Sequence, residues 1–284
     1  MAILMKAAPV AEVVYQDVRN QVQEVLKKRN LPPKLATVLV GEDTASKIYV
    51  TKKGQMCTKL GMAHEDIHHS GSVSQEELLA TVDRLNKDET VDGILVQSPL
   101  PPQCNEKEIF SNINPDKDVD CFSSENVGKL VQKQATLLPC TPAGIIEILK
   151  FYKIEMRGRN ALVIGRSDIV GKPTALLLLH QDATVTIAHS KTQNLKEHVR
   201  SADIIICAIG KANFLDSSFE VKESAALVDV GINRNSAGKV VGDIDFSHFE
   251  TKARAITPVP GGVGPMTIAM LMRNTACAAL LRGR

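Results

Sequence analysis

Apolar positions along the chain follow two alternating patterns. Short runs without polar alternation recur at 34–40 (KLATVLV), 91–97 (VDGILVQ), 160–165 (NALVIG), 183–189 (ATVTIAH), 202–210 (ADIIICAIG) and 225–231 (AALVDVG). Such runs predict strands covered on both faces in a parallel sheet. Between them the apolar residues take helical spacing, with one stripe at Val10, Val14, Val18, Val22 and Val25 and another at Leu78, Leu79, Val82 and Leu85. The succession predicts an α/β fold in the doubly wound style.

The rhythm breaks over about residues 115–145, where NPDKDVDCFSSENVGKL is followed by LPCTPAG. Thr141 and Pro142 there suit a helix cap and a first helical position. A domain boundary is expected here, giving a first domain over 1–140 and a second over 141–264. The alanine- and methionine-rich stretch MTIAMLMRNTACAALL reads as a buried C-terminal helix. Within 265–284, this helix is expected to return to the first domain and leave a cleft between the two.

Composition narrows the function. The 284 residues are 44% apolar, enough for a substantial core. The 34 basic and 32 acidic residues are interspersed, with no block of one sign, so neither nucleic acid nor a membrane surface is an expected partner. The apolar run in MAILMKAAPV is too short for a signal-peptide core or a membrane span, and a soluble, cytoplasmic protein is expected. Six cysteines without a C-x-x-C pair predict reduced thiols and no cysteine metal site. The histidines of HEDIHH, 64–69, follow a helix-ending Gly61 and are read as a solvated loop without a metal.

The candidate chemistry lies in both predicted domains. In the second, VIGRSDIVGKP runs from a strand through Gly165, Arg166, Ser167 and Asp168 into a helix, a turn that favours an anion. Asp168 is the expected helix N-cap, and the glycines at 165 and 171 permit close approach. Where an NAD site commonly places an acid after the second strand, this chain has Ser190 and Lys191. An acid would repel a 2′-phosphate, whereas the Ser190 hydroxyl and the Arg166 guanidinium can bond to one, which points to NADP.

In the first domain, a helix expected from Asp43 or Thr44 to Gly61 places Tyr49 and Lys53 one turn apart on one face, with Lys52 elsewhere. Spacing alone favours a surface pair over a catalytic one. A lysine in a dry pocket loses its charge more easily and serves acid–base chemistry. Gln97 ends a buried strand, where α/β sheets tend to bind ligands, and Asp120 follows a charged loop. Either residue fits ligand contact or loop capping.

Together YVTKK, GILVQSPLP, DKDVD, LPCTPAG, GRSDIVGKP, HSKT, VDVGIN, GDIDF and TPVPGGVGPMT, in that order, closely resemble the bifunctional 5,10-methylenetetrahydrofolate dehydrogenase/methenyltetrahydrofolate cyclohydrolase family. The resemblance implies a homodimer using NADP, with tetrahydrofolate derivatives in the interdomain cleft. It implies oxidation of 5,10-methylenetetrahydrofolate followed by hydrolysis to 10-formyltetrahydrofolate. By the same pattern Lys53 is catalytic, Tyr49 positions the folate, Gln97 bonds the lysine and Asp120 holds the pterin. Pro260, Gly261 and Gly262 line the folate side, while Gly165, Arg166, Ser167, Ser190 and Ile232 fall at cofactor positions.

Three residues depart from the pattern. Cys121 replaces a usual glycine, Ser98 a usual leucine and Thr44 a usual proline, which bears on the shape of the folate pocket. A two-domain dehydrogenase for an amino or hydroxy acid is the competing reading, but it has no use for Gln97 beside a Tyr49/Lys53 pair. A non-catalytic nucleotide-binding paralogue is a third.

Overall fold

The computed structural model describes residues 1–282, so the last two residues of the expected returning helix lie outside the described residues. The chain divides into two compact units. One comprises Met1–Glu12 and Thr141–Thr267; the other comprises Val13–Cys140 and Ile268 onward.

The chain opens with β1 (Ile3–Leu4) and α1 (Ala7–Arg29). All five valines of the α1 stripe are buried, so this face is the one that packs. Next come β2 (Lys34–Val40), α2 (Thr44–Lys59), β3 (Ala63–His69), α3 (Gln75–Lys87), β4 (Gly93–Val96), α4 (Glu106–Ser111) and α5 (Ser124–Val131). The three strands form a parallel sheet in the order β3-β2-β4. Leu78, Val82 and Leu85 of α3 pack into a core with Val38, Ile94 and Ile109. Ser74 caps α3 reciprocally with Glu77, satisfying two orphan donors at once.

β3 corrects the expected loop at 64–69. AHEDIHH lacks an apolar run because it is a sheet edge, paired only with β2, and its residues alternate between half-buried and exposed. Among the described residues no grouping of three or more His, Cys, Asp or Glu side chains is placed to hold a metal.

The other unit holds α6 (Cys140–Phe151), β5 (Asn160–Ile164), α7 (Gly171–His180), β6 (Thr184–Ala188), α8 (Leu195–Ser201), β7 (Ile204–Cys207) and β8 (Ala226–Asp229), apart from Cys140 at its start. Then follow β9 (Asn233–Arg234), β10 (Val240–Val241), α9 (Phe246–Phe249), β11 (Ala255–Ile256) and α10 (Val263–Arg282). The sheet order is β1-β11-β8-β7-β5-β6, all parallel.

Three expectations are corrected here. The first residues do not belong with the 13–140 segment, because β1 pairs with β11, Ile3 opposite Ala255, and completes this sheet. β6 is not covered on both faces; as an edge strand it leaves Thr184, Thr186 and Ile187 exposed. Thr141 is not a cap, since α6 already includes Cys140, and its hydroxyl bonds the Thr267 hydroxyl at 2.9 Å. Five of the six cysteines are buried and all are free. Among the described residues no helix is long and apolar enough to cross a membrane.

Candidate active site

Lys53 is carried by α2, which starts where Asp43 accepts the Ser46 N–H at 2.7 Å and ends before Gly61, whose φ of 73° few other residues adopt readily. Thr44, the departure from a usual proline, is its first helical residue. Helical spacing sends Lys52 to solvent and turns Lys53 inward, where it is only 6% exposed. Tyr49, one turn earlier, is half-buried, and burial pushes its phenol upward in pKa.

The Lys53 Nζ donates to Gln97 Oε1 at 2.9 Å. Gln97 leaves the end of β4, its own N–H donating to the Val38 carbonyl at 2.9 Å. Its Nε2 donates to the Ser98 carbonyl at 2.7 Å, and this fixes the amide orientation: an NH₂ must face that acceptor, so the oxygen faces the lysine. Ser98 has its own anchor. Its hydroxyl and the Leu100 N–H both donate to Glu106 Oε1 of α4, at 2.8 and 2.6 Å. The unusual serine thus braces the loop that holds Gln97.

Asp120 reaches the same place by register. Ile94 of β4 pairs in parallel with Asp118, which puts Asp120 level with the last β4 residue, just before Gln97. Two of the three acids of DKDVD divide the work. Asp118, 1% exposed, accepts from the Phe122 and Ser123 N–H groups and from Asn126 Nδ2, and is the loop cap. Asp120 takes the Cys140 thiol and feels the Lys53 charge.

Electrostatics follow from this arrangement. Burial lowers the Lys53 pKa below the ordinary lysine value, opposed by the charges of Asp120 and others. Burial raises Asp120, opposed by Lys53 and by the thiol of Cys140.

Two supporting residues escaped the sequence reading. Asn274 of α10 donates from Nδ2 to the Val119 and Leu138 carbonyls, at 2.8 and 2.7 Å, and so ties the segment before Asp120 to that before Cys140. An amide inside an apolar helix was the available signal. Cys140 lies in the LPCTPAG motif, where the sequence suggests only a reduced packing thiol. Cys121 adopts φ 59° while 2% exposed, so the chain keeps a side chain in the left-handed region where the family pattern has glycine.

The turn expected to favour an anion lies in the other unit. The parallel register Ile164 opposite Ala188 puts Arg166 level with Ser190, at the carboxyl ends of β5 and β6. Gly165 has φ 124°, and a Cβ there would lie 2.3 Å from the Ala208 carbonyl oxygen; at Gly171 it would lie 2.4 Å from the Gly165 carbonyl oxygen. Their freedom serves backbone packing within the turn. Asp168 is not the N-cap: its carboxylate pairs with Lys172 at the surface. Ser167 Oγ accepts instead from the Val170 and Gly171 N–H groups, both at 3.2 Å. Its hydroxyl hydrogen is left to donate outward, passing the helix dipole to an anion.

Arg166, Ser167 and Ser190 are exposed, as is Ile232 at 58%. With no acid at the end of β6, these side chains fit a dinucleotide bearing a 2′-phosphate. In the same unit Pro260 and Gly261 are exposed, Gly261 with φ 100°, and Gly262 is buried, where a Cβ would meet the Pro258 carbonyl oxygen at 2.5 Å.

Comparison with known proteins decides the kinship. Residues 5–120 match the model of the tetrahydrofolate dehydrogenase/cyclohydrolase catalytic domain, and residues 139–282 that of its NAD(P)-binding domain. The chain belongs to the tetrahydrofolate dehydrogenase/cyclohydrolase family. It is 47% identical to bifunctional protein FolD 2 of Geobacter sulfurreducens, over 100% of this chain and 99% of that protein. Its fold is similar to that of the Campylobacter jejuni FolD enzyme, with a TM-score of 0.95, 43% identity and coverage of 99% and 100%. The Trypanosoma brucei family enzyme, solved with NADP and an inhibitor, is 33% identical with a TM-score of 0.92, covering 99% of this chain and 98% of that one.

Proposed function

We propose that this chain oxidises 5,10-methylenetetrahydrofolate with NADP and hydrolyses the methenyl product to 10-formyltetrahydrofolate, with Lys53 moving the protons of the second reaction. It is a bifunctional dehydrogenase and cyclohydrolase. The observation that carries the assignment to Lys53 is a buried amine bonded at 2.9 Å to an amide whose orientation is set independently.

NADP, when bound, supplies the hydride acceptor. For hydrolysis, the methenyl carbon is cationic and electrophilic, and water adds to it. Lys53, whose charged form burial disfavours, takes a proton from the incoming water as the free amine; an ammonium would repel the cation and accept nothing. The C–O bond forms, the adduct's hydroxyl proton is released to solvent as the formyl carbonyl forms, and Lys53 returns its proton to the ring nitrogen whose C–N bond breaks. Gln97 occupies one N–H of the amine and so aims its lone pair. Tyr49 offers a half-buried ring to the folate and Asp120 an acceptor for pterin N–H groups; in the other unit, Pro260, Gly261 and Gly262 are the substrate-binding residues of this reading.

Gly165, Arg166, Ser167, Ser190 and Ile232 hold NADP in this reading. The interspersed charge supports a protein that engages no nucleic acid, and the family resemblance supports a homodimer, cytoplasmic in this reading; sedimentation with and without oligonucleotide is the check. The decisive assay is spectroscopic. Methylenetetrahydrofolate and NADP should give methenyl absorbance that then decays by hydrolysis, and no methenyl absorbance would refute the folate reading.

A further inference from the structure

The motifs VDVGIN and GDIDF meet through two buried aspartates that the proposed chemistry does not use. Asp229 ends β8 and Asp243 follows β10; they are 3% and 0% exposed. Asp229 accepts the N–H groups of Gly231, Asp243 and Ile244 at 2.9, 2.8 and 2.8 Å. Asp243 in turn accepts those of Ile209, Gly210 and Lys211 at 2.8, 3.0 and 2.8 Å, and Asn233 Nδ2 at 2.9 Å. The fit is close enough to require glycine on both sides. A Cβ on Gly242 would lie 1.9 Å from Asp229 Oδ2, and one on Gly231 would lie 2.1 Å from Asp243 Oδ1.

Burying two carboxyls side by side is costly, and burial pushes Asp229 up to about 7 despite its donors. Ordinary turns would satisfy these backbone groups without acids. What the acids add is a shared anchor. Residues 209–211 leave the carboxyl end of β7, residues 231–233 leave that of β8, and the Gly165 turn after β5 lies against Ala208. These adjacent strand ends are where open α/β sheets take their ligands. The anchor also holds Ile209 and Ile232 in solvent, at 36% and 58% exposure, where a planar ring can lie against them.

We infer that Asp243, oriented by Asp229, is a positioning residue for the dinucleotide: it locks the loops after β7 and β8 into one preformed edge, so that NADP binds without the cost of ordering them. This rests on the reading that NADP lies at the carboxyl ends of β5, β7 and β8.

Asp243→Asn keeps the volume but turns an NH₂ toward the loop donors. The expected result is a rise of about tenfold or more in KM for NADP, with faster amide exchange at 209–211, while KM for methylenetetrahydrofolate and hydrolysis of directly supplied methenyltetrahydrofolate stay within about twofold. An unchanged KM for NADP, or a fall in hydrolysis together with a parallel rise in both KM values, overturns the inference. Should that variant fail to fold, Asn233→Ala decides; it removes one donor of four and should raise KM for NADP about two- to fivefold, and no change refutes. The underlying placement is tested separately in the unaltered enzyme. NADP should protect the 209–211 and 231–233 amides from exchange, and lack of protection there refutes the placement whatever the variants do.

Discussion

Gln97→Glu is the sharpest perturbation of the hydrolytic site, because it changes charge while preserving shape. The new carboxylate stands where the amide oxygen now receives the Lys53 Nζ at 2.9 Å. Two unit charges at that separation attract by about 1.4 kcal/mol in bulk water and about 6 kcal/mol at an effective dielectric near 20. At 1.36 kcal/mol per pKa unit, this raises the lysine by roughly one to four units and opposes the lowering that burial produces. The free-amine fraction at a given pH therefore falls. The assay is the pH profile of methenyltetrahydrofolate hydrolysis, whose rising limb tracks release of the Lys53 proton. It should move to higher pH by about one unit or more, whereas uncharged Gln97→Met should not move it upward. A limb that stays in place, or moves to lower pH, would refute the role of Lys53 as base.

Other outcomes follow from the same geometry. Asp120→Asn removes the charge that partly restores the Lys53 pKa, so the same limb should move to lower pH; an upward move would contradict the coupling. Lys53→Met should abolish hydrolysis while folate binding, measured by fluorescence titration, survives. Ser190→Asp should weaken NADP by about 10- to 100-fold and NAD by much less, since a carboxylate opposes only the 2′-phosphate, and equal losses would remove that account. At Cys121, glycine relieves about 1–2 kcal/mol of left-handed backbone cost but loses about as much buried side chain and adds chain entropy, leaving stability within about 1 kcal/mol. Cys121→Val, β-branched at φ 59°, should lose well over 1 kcal/mol in urea unfolding; equal midpoints for valine and cysteine would deny the strain.

The buried strands were legible because being covered on both faces leaves an uninterrupted apolar run, as in KLATVLV and GILV. β3 was not, because an edge strand takes its conformation from the neighbour's hydrogen bonds and needs few apolar residues. Tyr49 and Lys53 could be paired from helical spacing, yet their burial and the partner Gln97, 44 positions away, are tertiary facts. The division of DKDVD between Asp118, which caps the loop, and Asp120, placed level with the end of β4, depends on one register contact that no local pattern encodes. Asp168 was mistaken for a cap because an acid before a helix is the commoner device; here a serine one residue earlier reaches the same N–H groups.

The pairing of Ile3 with Ala255 bears on how the protein is made. During synthesis the first strand emerges some 250 residues ahead of its partner, and the segment from Val13 to Cys140 likewise waits for the final helix. Neither half can therefore finish folding on the ribosome until the last stretch is translated, and exposed sheet edges must be tolerated meanwhile. A bulky tag fused close ahead of Ile3 would burden that late step more than the mature enzyme.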